Sequence, residues 1–384
     1  MPLIMKALHS LPIILAAAAC TNAGTGSNSG ILDFNPAEDV VPILNEARTP
    51  RTVWGADAPR PAVTLLTFSD LHGDRENLER IVEFKEAYSG LIEDAIHLGD
   101  GVYCYWDNPN EWDNVPGART VMNVVGNHDC WKSHLVWAET DKPYDASEED
   151  VYQTVMTGAD KKAPYVKSWQ VVQPDGIGDP ESPYCHACYY YKDYAESGMR
   201  LIVLDGMHYT EIQDSWFAQV LEDARSKGLA VIACTHYPAA NGLDGLDTGF
   251  NSRTEGIPVV ADQTVVQFEA MPDQAFVTAD AFIDAGGCLV CWLAGHHHSD
   301  YMGLVRGHER QLMIVHDKAG ERDDYMAEDR ARGTRNQDSF NLVTFNPSKS
   351  LLIVNRIGCT RSEDLRSKKL FVWDYLKREM IATE

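Results

Sequence analysis

Positive charge is scarce in this chain. Its 384 residues hold 33 Lys and Arg against 57 Asp and Glu, a formal net charge of −24 at pH 7. A surface of that average sign repels phosphate backbones and anionic lipid, so stable nucleic-acid binding is not expected. An anionic substrate must instead be drawn by a local positive feature, which bound metal ions can supply. Internal repeats are also lacking, which removes solenoids and propellers. The apolar run near the start, Leu11–Ala19, is too short to cross a bilayer. What remains is a chain long enough to bury a sizeable core, as one large domain or two ordinary ones.

Cysteine is not lacking, with nine in the chain. Cys185-x-x-Cys188 and Cys288-x-x-Cys291 have the spacing of a zinc ribbon, yet the second pair lies inside the apolar run Cys288–Ala294. Residues three apart on a strand face opposite sides, so a zinc–cysteine site is not expected there. The spacing leaves any disulfide pairing open.

The N-terminus reads as a targeting segment over residues 1–20, with Lys6 ahead of the apolar run and small residues at its end. Ala17-Ala18-Ala19-Cys20 resembles the lipobox of a bacterial lipoprotein, except that Ala17 stands where Leu is usual. Two expectations follow: export from a bacterial cytoplasm with a lipid anchor at Cys20 as the one membrane contact, or ordinary secretion after cleavage near Ala19. Residues 21–61 form a tether and linker, rich first in Gly, Ser, Asn and Thr and then in Pro. A main domain is expected over 62–360, followed by a helical extension over 361–384 with a last helix at Leu365–Arg378.

Within the main domain, short apolar runs alternate with helical spacings. Val63–Phe68 is β-branched and apolar, and it stops at Ser69-Asp70-Leu71-His72-Gly73-Asp74. Asp70 and His72 therefore sit on a loop at a strand's C-terminal end, where open α/β sheets place their ligands. If that loop stays extended, the two side chains share a face. Leu78, Ile81, Val82 and Phe84 mark a surface helix over Asn77–Ala87. The run Ala95–Leu98 ends in Gly99-Asp100-Gly101, and Val121–Val125 runs into Gly126-Asn127-His128-Asp129. Leu229–Cys234 ends in Thr235-His236, and the Cys288 run delivers Gly295-His296-His297-His298. Between these lie the strand-like Tyr189–Tyr194 and Arg200–Asp205, helices at Gln213–Lys227 and Ala275–Ala285, and an acidic helical insert over 138–160. Tyr103, Tyr105, Trp106 and Trp112 line a loop over 102–112 that can either stack a ring or pack onto the domain.

Each Asp or His stretch alone is an ordinary turn. Five of them, always at the C-terminal end of an apolar run, cluster charges that are costly to bring together unless a cation compensates them. In order, Asp70-x-His72, Gly99-Asp100, Gly126-Asn127-His128-Asp129, His236 and Gly295-His296-x-His298 resemble the motifs of the calcineurin-like metallophosphoesterase superfamily. No ligand position is substituted. The β-rich end of the chain also looks like the C-terminal part of bacterial secreted members.

The resemblance implies an α/β fold: a four-layer α-β-β-α sandwich of two mixed β-sheets with flanking helices. It implies two divalent metal ions, one held by Asp70, His72, Asp100 and His298, the other by Asp100, Asn127, His236 and His296. Oxygen and imidazole ligands suit Mn, Fe, Zn, Co or Ni, not Ca. The implied activity is hydrolysis of a small phosphorylated substrate by a metal-bridging hydroxide, with His128 protonating the leaving oxygen or hydrogen-bonding the phosphoryl group and Asp129 orienting it. Phosphomonoester, phosphodiester and nucleotide substrates all remain open. The competing reading is an exported, metal-containing binding protein on the same scaffold. His297 is given no role, and His97, His134, His186, His208, His308 and His316 are read as structural or surface residues.

Overall fold

The computed structural model describes residues 60–101, 115–130, 169–174, 188–246, 270–319, 338–358 and 370–383. The N-terminal segment, the aromatic loop over 102–112, the insert over 138–160, Cys185, His134 and His186 lie outside these residues. Fourteen strands are described: β1 (Val63–Phe68), β2 (Asp94–His97), β3 (Val121–Asn123), β4 (Tyr190–Tyr194), β5 (Met199–Val203), β6 (Ala230–Cys234), β7 (Leu243–Gly245), β8 (Cys288–Ala294), β9 (Tyr301–Val305), β10 (His308–Val315), β11 (Ser339–Asn346), β12 (Leu351–Gly358), β13 (Leu370–Asp374) and β14 (Glu379–Thr383). The helices are α1 (Arg75–Ala87), the single turn α2 (Asn127–Cys130), α3 (Glu211–Ser226) and α4 (Asp273–Asp284).

The strands form two mixed sheets of seven, in the orders β14-β13-β12-β11-β1-β2-β3 and β4-β5-β6-β8-β10-β9-β7. In the first sheet β1, β2 and β3 are parallel, and β11 to β14 add an antiparallel meander beside β1. In the second, β5, β6, β8 and β10 are parallel. Strands buried on both faces read as continuous apolar runs, and every residue of β1 and β8 is buried.

One apolar core joins Leu66 and Ile96 of the first sheet to Val203, Ile232 and Leu293 of the second. Polar groups also cross between the sheets: the Tyr190 hydroxyl donates to the Asn123 carbonyl at 2.8 Å. Helices cover the outer faces. On the first sheet, α1 buries Leu78, Ile81, Val82 and Phe84, and Phe84 meets Phe340 edge-on at 5.0 Å. On the second, Phe217 of α3 and Phe276 of α4 pack on Trp292 at 5.8 and 4.8 Å. Two mixed sheets with flanking helices are thus present as expected.

Among the described residues of the chain end, 370–383, the expected C-terminal helix is not found. Leu370–Asp374 pairs with β12 and Glu379–Thr383 pairs with β13, so the first sheet continues past the boundary expected at residue 360. The stretch Leu370-Phe371-Val372-Trp373 is aromatic and β-branched, and its burial alternates. Pairing with a strand already buried outweighs a weak helical spacing at the chain end.

Candidate metal centre

Parallel strands place their C-terminal ends on one edge, and the backbone ladder carries on past them into the loops. Leu98 N–H donates to Phe68 O at 2.8 Å, and Asp70, His72 and Gly73 N–H groups donate in turn to Gly99, Asp100 and Gly101 carbonyls at 3.0, 2.9 and 3.1 Å. In the second sheet, Thr235 N–H reaches Leu293 O at 3.0 Å and Gly295 N–H reaches His236 O at 2.9 Å. These bonds tie the loops to one another as the ladder ties the strands behind them.

The Asp70–His72 loop is not extended. Asp70, His72, Asp100, His296 and His298 adopt left-handed backbone, with φ of 56°, 48°, 60°, 71° and 46°. Only three other non-glycine residues do so among those described. Such a conformation costs of order 1–3 kcal/mol for an L residue and persists where surrounding bonds impose it, typically at functional sites. Here it turns successive Asp and His side chains inward, so convergence comes from kinks and not from strand alternation. Neighbouring glycines make room for this. A Cβ on Gly126 would overlap the Asp100 carboxylate and backbone N, and one on Gly99 would overlap the His236 ring.

Two groups of side chains result, and they meet at Asp100. In the first, His298 Nε2 and His72 Nε2 lie 3.3 and 3.7 Å from Asp70 Oδ1 and 3.2 Å from each other. His72 Nε2 is also 3.5 Å from Asp100 Oδ2. In the second, His236 Nε2 lies 3.3 Å from the same Asp100 Oδ2 and 3.1 Å from Asn127 Oδ1. His236 donates Nδ1–H to the Leu98 carbonyl at 2.7 Å, which fixes the tautomer that turns the Nε2 lone pair into the site. One ligand atom each from Asp100, His236 and His296 lies within 4.8 Å of the others, as holds for Asp70, His72 and His298 and for His72, Asp100 and His128.

These residues fit divalent cations on their own chemistry. Asp70 Oδ1 is buried and accepts no hydrogen bond, although its Oδ2 accepts the His296 N–H at 3.0 Å. A buried carboxylate oxygen left so is costly unless a cation faces it. Charge is balanced among the side chains. Burial would raise the Asp100 carboxyl, but His236, His128 and His72 hold it well below the usual range. Burial would likewise raise Asp70, and His298, His72 and His236 hold it down. In return, burial would lower His236, yet Asp100 beside it pushes the imidazole up to about 9. His296 goes the other way, lowered by burial and by the charge of His236. Metal ions would take over the positive charge that protons supply here.

Every residue predicted for the site lies at this edge. His128 follows Asn127 on α2, its backbone N–H donating to Asp100 Oδ1 at 2.8 Å and its Nε2 4.0 Å from Asp100 Oδ2. The His128 and His298 side chains, 13 % and 27 % exposed, form the open side. Asp129 has a task that sequence reasoning missed. Its Oδ2 accepts the N–H groups of Asp100 and Gly126 at 3.0 and 2.9 Å, and its Oδ1 accepts that of Gly101 at 3.0 Å. The carboxylate thus braces the loop that carries Asp100. Also missed was the pair Asp300 and Arg356, which joins the His296–His298 loop to the first sheet. Cys130, Cys188, Cys234, Cys288 and Cys291 are buried, and none stands in a metal-type cluster among the described residues.

The family model for calcineurin-like phosphoesterases matches residues 63–300. Among solved structures, a dimetal phosphatase from Danio rerio is similar at 11% identity over 79% of this chain and 100% of that one, with a TM-score of 0.48. A metallophosphoesterase from Sphaerobacter thermophilus is similar at 13% identity over 79% of this chain and 93% of that one, with a TM-score of 0.28. No curated protein matches the chain. With its motifs in order along residues 63–300 and their side chains gathered on one edge of two facing mixed sheets, the chain belongs to the calcineurin-like phosphoesterase family.

Proposed function

We propose that the protein hydrolyses phosphate esters at a dinuclear metal centre in which Asp70, His72, Asp100 and His298 hold one divalent cation and Asp100, Asn127, His236 and His296 hold the second. The observation that supports this most is the meeting of two nitrogen-and-oxygen clusters on one carboxylate oxygen, Asp100 Oδ2, with His72 and His236 Nε2 at 3.5 and 3.3 Å on its two sides. When bound, such cations neutralise a phosphoryl group and acidify water enough to supply hydroxide at neutral pH. In a chain of net charge −24 they also provide the local attraction that an anionic substrate needs.

The protein's own groups do the rest. Asp129 and the His128 N–H hold Asp100 from both sides, so the shared carboxylate does not swing as charge develops. His128, on the open side, gives the Nε2 proton to the leaving oxygen. The mixed donor set favours Mn, Fe, Zn, Co or Ni. Export, with Cys20 as a lipid attachment point, is part of the proposal and rests on the N-terminal sequence alone.

The test is metal analysis of the purified protein, followed by parallel assays on an aryl phosphomonoester and an aryl phosphodiester with added Mn²⁺. Turnover of either is expected, and Asp100→Ala should lose more metal and activity than Asp70→Ala. No turnover with any of several divalent metals would overturn the hydrolase and favour an exported binding protein on this scaffold.

A further inference from the structure

The two histidines of the second metal group are oriented by different means. The His236 ring is fixed by the bond from its Nδ1–H to the Leu98 carbonyl at 2.7 Å. His296 has its backbone held instead: its N–H donates to Asp70 Oδ2 at 3.0 Å, and the Gly295 N–H before it donates to His236 O at 2.9 Å. Its ring makes no hydrogen bond among the described residues. A metal-binding imidazole ordinarily donates its second N–H to a carboxylate or carbonyl, which sets its rotation. The last torsion of a histidine side chain is otherwise broad, so an imidazole without such a bond can turn its nitrogens away from a metal.

Three rings pack the His296 imidazole. Those of His236 and His297 have centroids 5.2 and 5.3 Å away. The nearest is Tyr237 at 4.6 Å, its plane at 89° to the imidazole. Perpendicular, edge-on contact at that distance is a favoured geometry for two rings and a wall against rotation of either. Tyr237 is suited to be that wall. It is fully buried and belongs to the apolar core, whereas His236 is itself in the metal-type cluster and His297 is only half-buried. The main chain on both sides of it is tied down, through His236 O to Gly295 N–H and through Pro238 O to Met271 N–H at 2.8 Å. The same tyrosine ring lies 5.3 Å from that of His236, so it packs both imidazoles of the cluster.

We propose that Tyr237 is the positioning residue for His296. Its buried ring, edge-on to the imidazole, holds the rotation that keeps a His296 nitrogen in one cluster with Asp100 and His236. The sequence thus uses one dipeptide twice, His236 as a ligand and Tyr237 as the support of another ligand. This rests on the dinuclear-metal reading of the centre.

The experiment is a Co²⁺ titration of the full chain after chelation, followed by visible absorbance and by calorimetry. His296→Ala and His298→Ala identify which binding step belongs to which cluster. Tyr237→Leu should weaken the His296 step roughly tenfold and leave the His298 step within about twofold, a split that a general loss of packing does not produce. Tyr237→Phe keeps the ring and should bind both ions as the wild type does. Tyr237→Met fills the space with a flexible chain, serves if the leucine variant folds poorly and should show the same split. Equal weakening of both steps, weakening of neither, or a phenylalanine variant as weak as the leucine one overturns the proposal and leaves the two-ion centre in place. A wild type that binds fewer than two Co²⁺ per chain overturns the dinuclear centre, and this inference with it.

Discussion

Asp129 holds Asp100 by the main chain. Its Oδ2 lies 3.0 Å from the Asp100 nitrogen and also takes the Gly126 N–H, so one carboxylate ties the loop after β2 to the loop after β3. Charge-assisted bonds to backbone N–H groups are about twice as strong as neutral ones, and this brace fixes the residue proposed to be shared by both cations. Asp129→Asn keeps the size but turns an amide NH2 toward a backbone donor. Metal affinity should fall roughly 10- to 100-fold, the usual worth of a partner behind a ligand, while the fold stays intact by circular dichroism. Wild-type affinity in a calorimetric metal titration would show the brace to be dispensable.

His128 separates the chemistry from metal holding. Its side chain stands on the open side, 4.0 Å from Asp100 Oδ2, while its backbone does the bracing. His128→Ala should leave metal content at the wild-type level and lower kcat by roughly 10² to 10⁴ on a poor leaving group. The loss should shrink on a nitrophenyl ester, whose leaving group needs little protonation. Equal turnover of wild type and variant on an alkyl ester would remove His128 from the proton-donor role.

Arg356 and Asp300 form a buried pair across the two sheets, both about 2 % exposed in their side chains. Arg356 also donates to Asn341 Oδ1 at 3.0 Å and Ser339 Oγ at 3.2 Å, and Asp300 Oδ1 accepts the Asp317 N–H at 3.2 Å. Removing one partner buries the other charge without compensation, so Arg356→Met should cost roughly 3–5 kcal/mol in urea unfolding. The double variant with Asp300→Leu should regain much of that, because no uncompensated charge remains. A single variant as stable as wild type would show that solvent reaches the pair.

His316 gives the fold an acid limit. It is buried between the sheets, donating Nδ1–H to Ala294 O at 3.0 Å and taking the Thr67 hydroxyl on Nε2 at 2.7 Å. Burial pushes the imidazole down from 6.5 to about 4. The folded value is the lower one, so between these limits the unfolded chain binds the extra proton. The stability is complete above about pH 6.5 and drains away as pH falls toward 4, a loss of about 3 kcal/mol in all. His316→Asn should be less stable at pH 7.5 yet lose less Tm between pH 7.5 and pH 5 than wild type. Parallel Tm curves would assign the acid sensitivity elsewhere.

Much of the site was legible because its residues have to be where they are. A buried parallel strand is a short apolar run, and the ladder ends where polar residues begin, so Asp70, Asp100, Asn127, His236 and His296 are marked by position as well as type. The C-terminal strands were misread since Leu370–Asp374 has no strong period of its own and becomes a strand only through β12.

The sequence by itself determined which side chains carry chemistry, the strand ends that deliver them and the negative surface that makes cations necessary. Only the tertiary structure decided how they converge. Left-handed φ at five of those residues, the Asp129 brace and the Asp300–Arg356 pair depend on bonds between segments far apart in the chain. The φ of Asp100 is 60° because Asp129 and the loop at Asp70–Gly73 hold its backbone there, and a residue's own propensity is too weak to impose or reveal such a conformation.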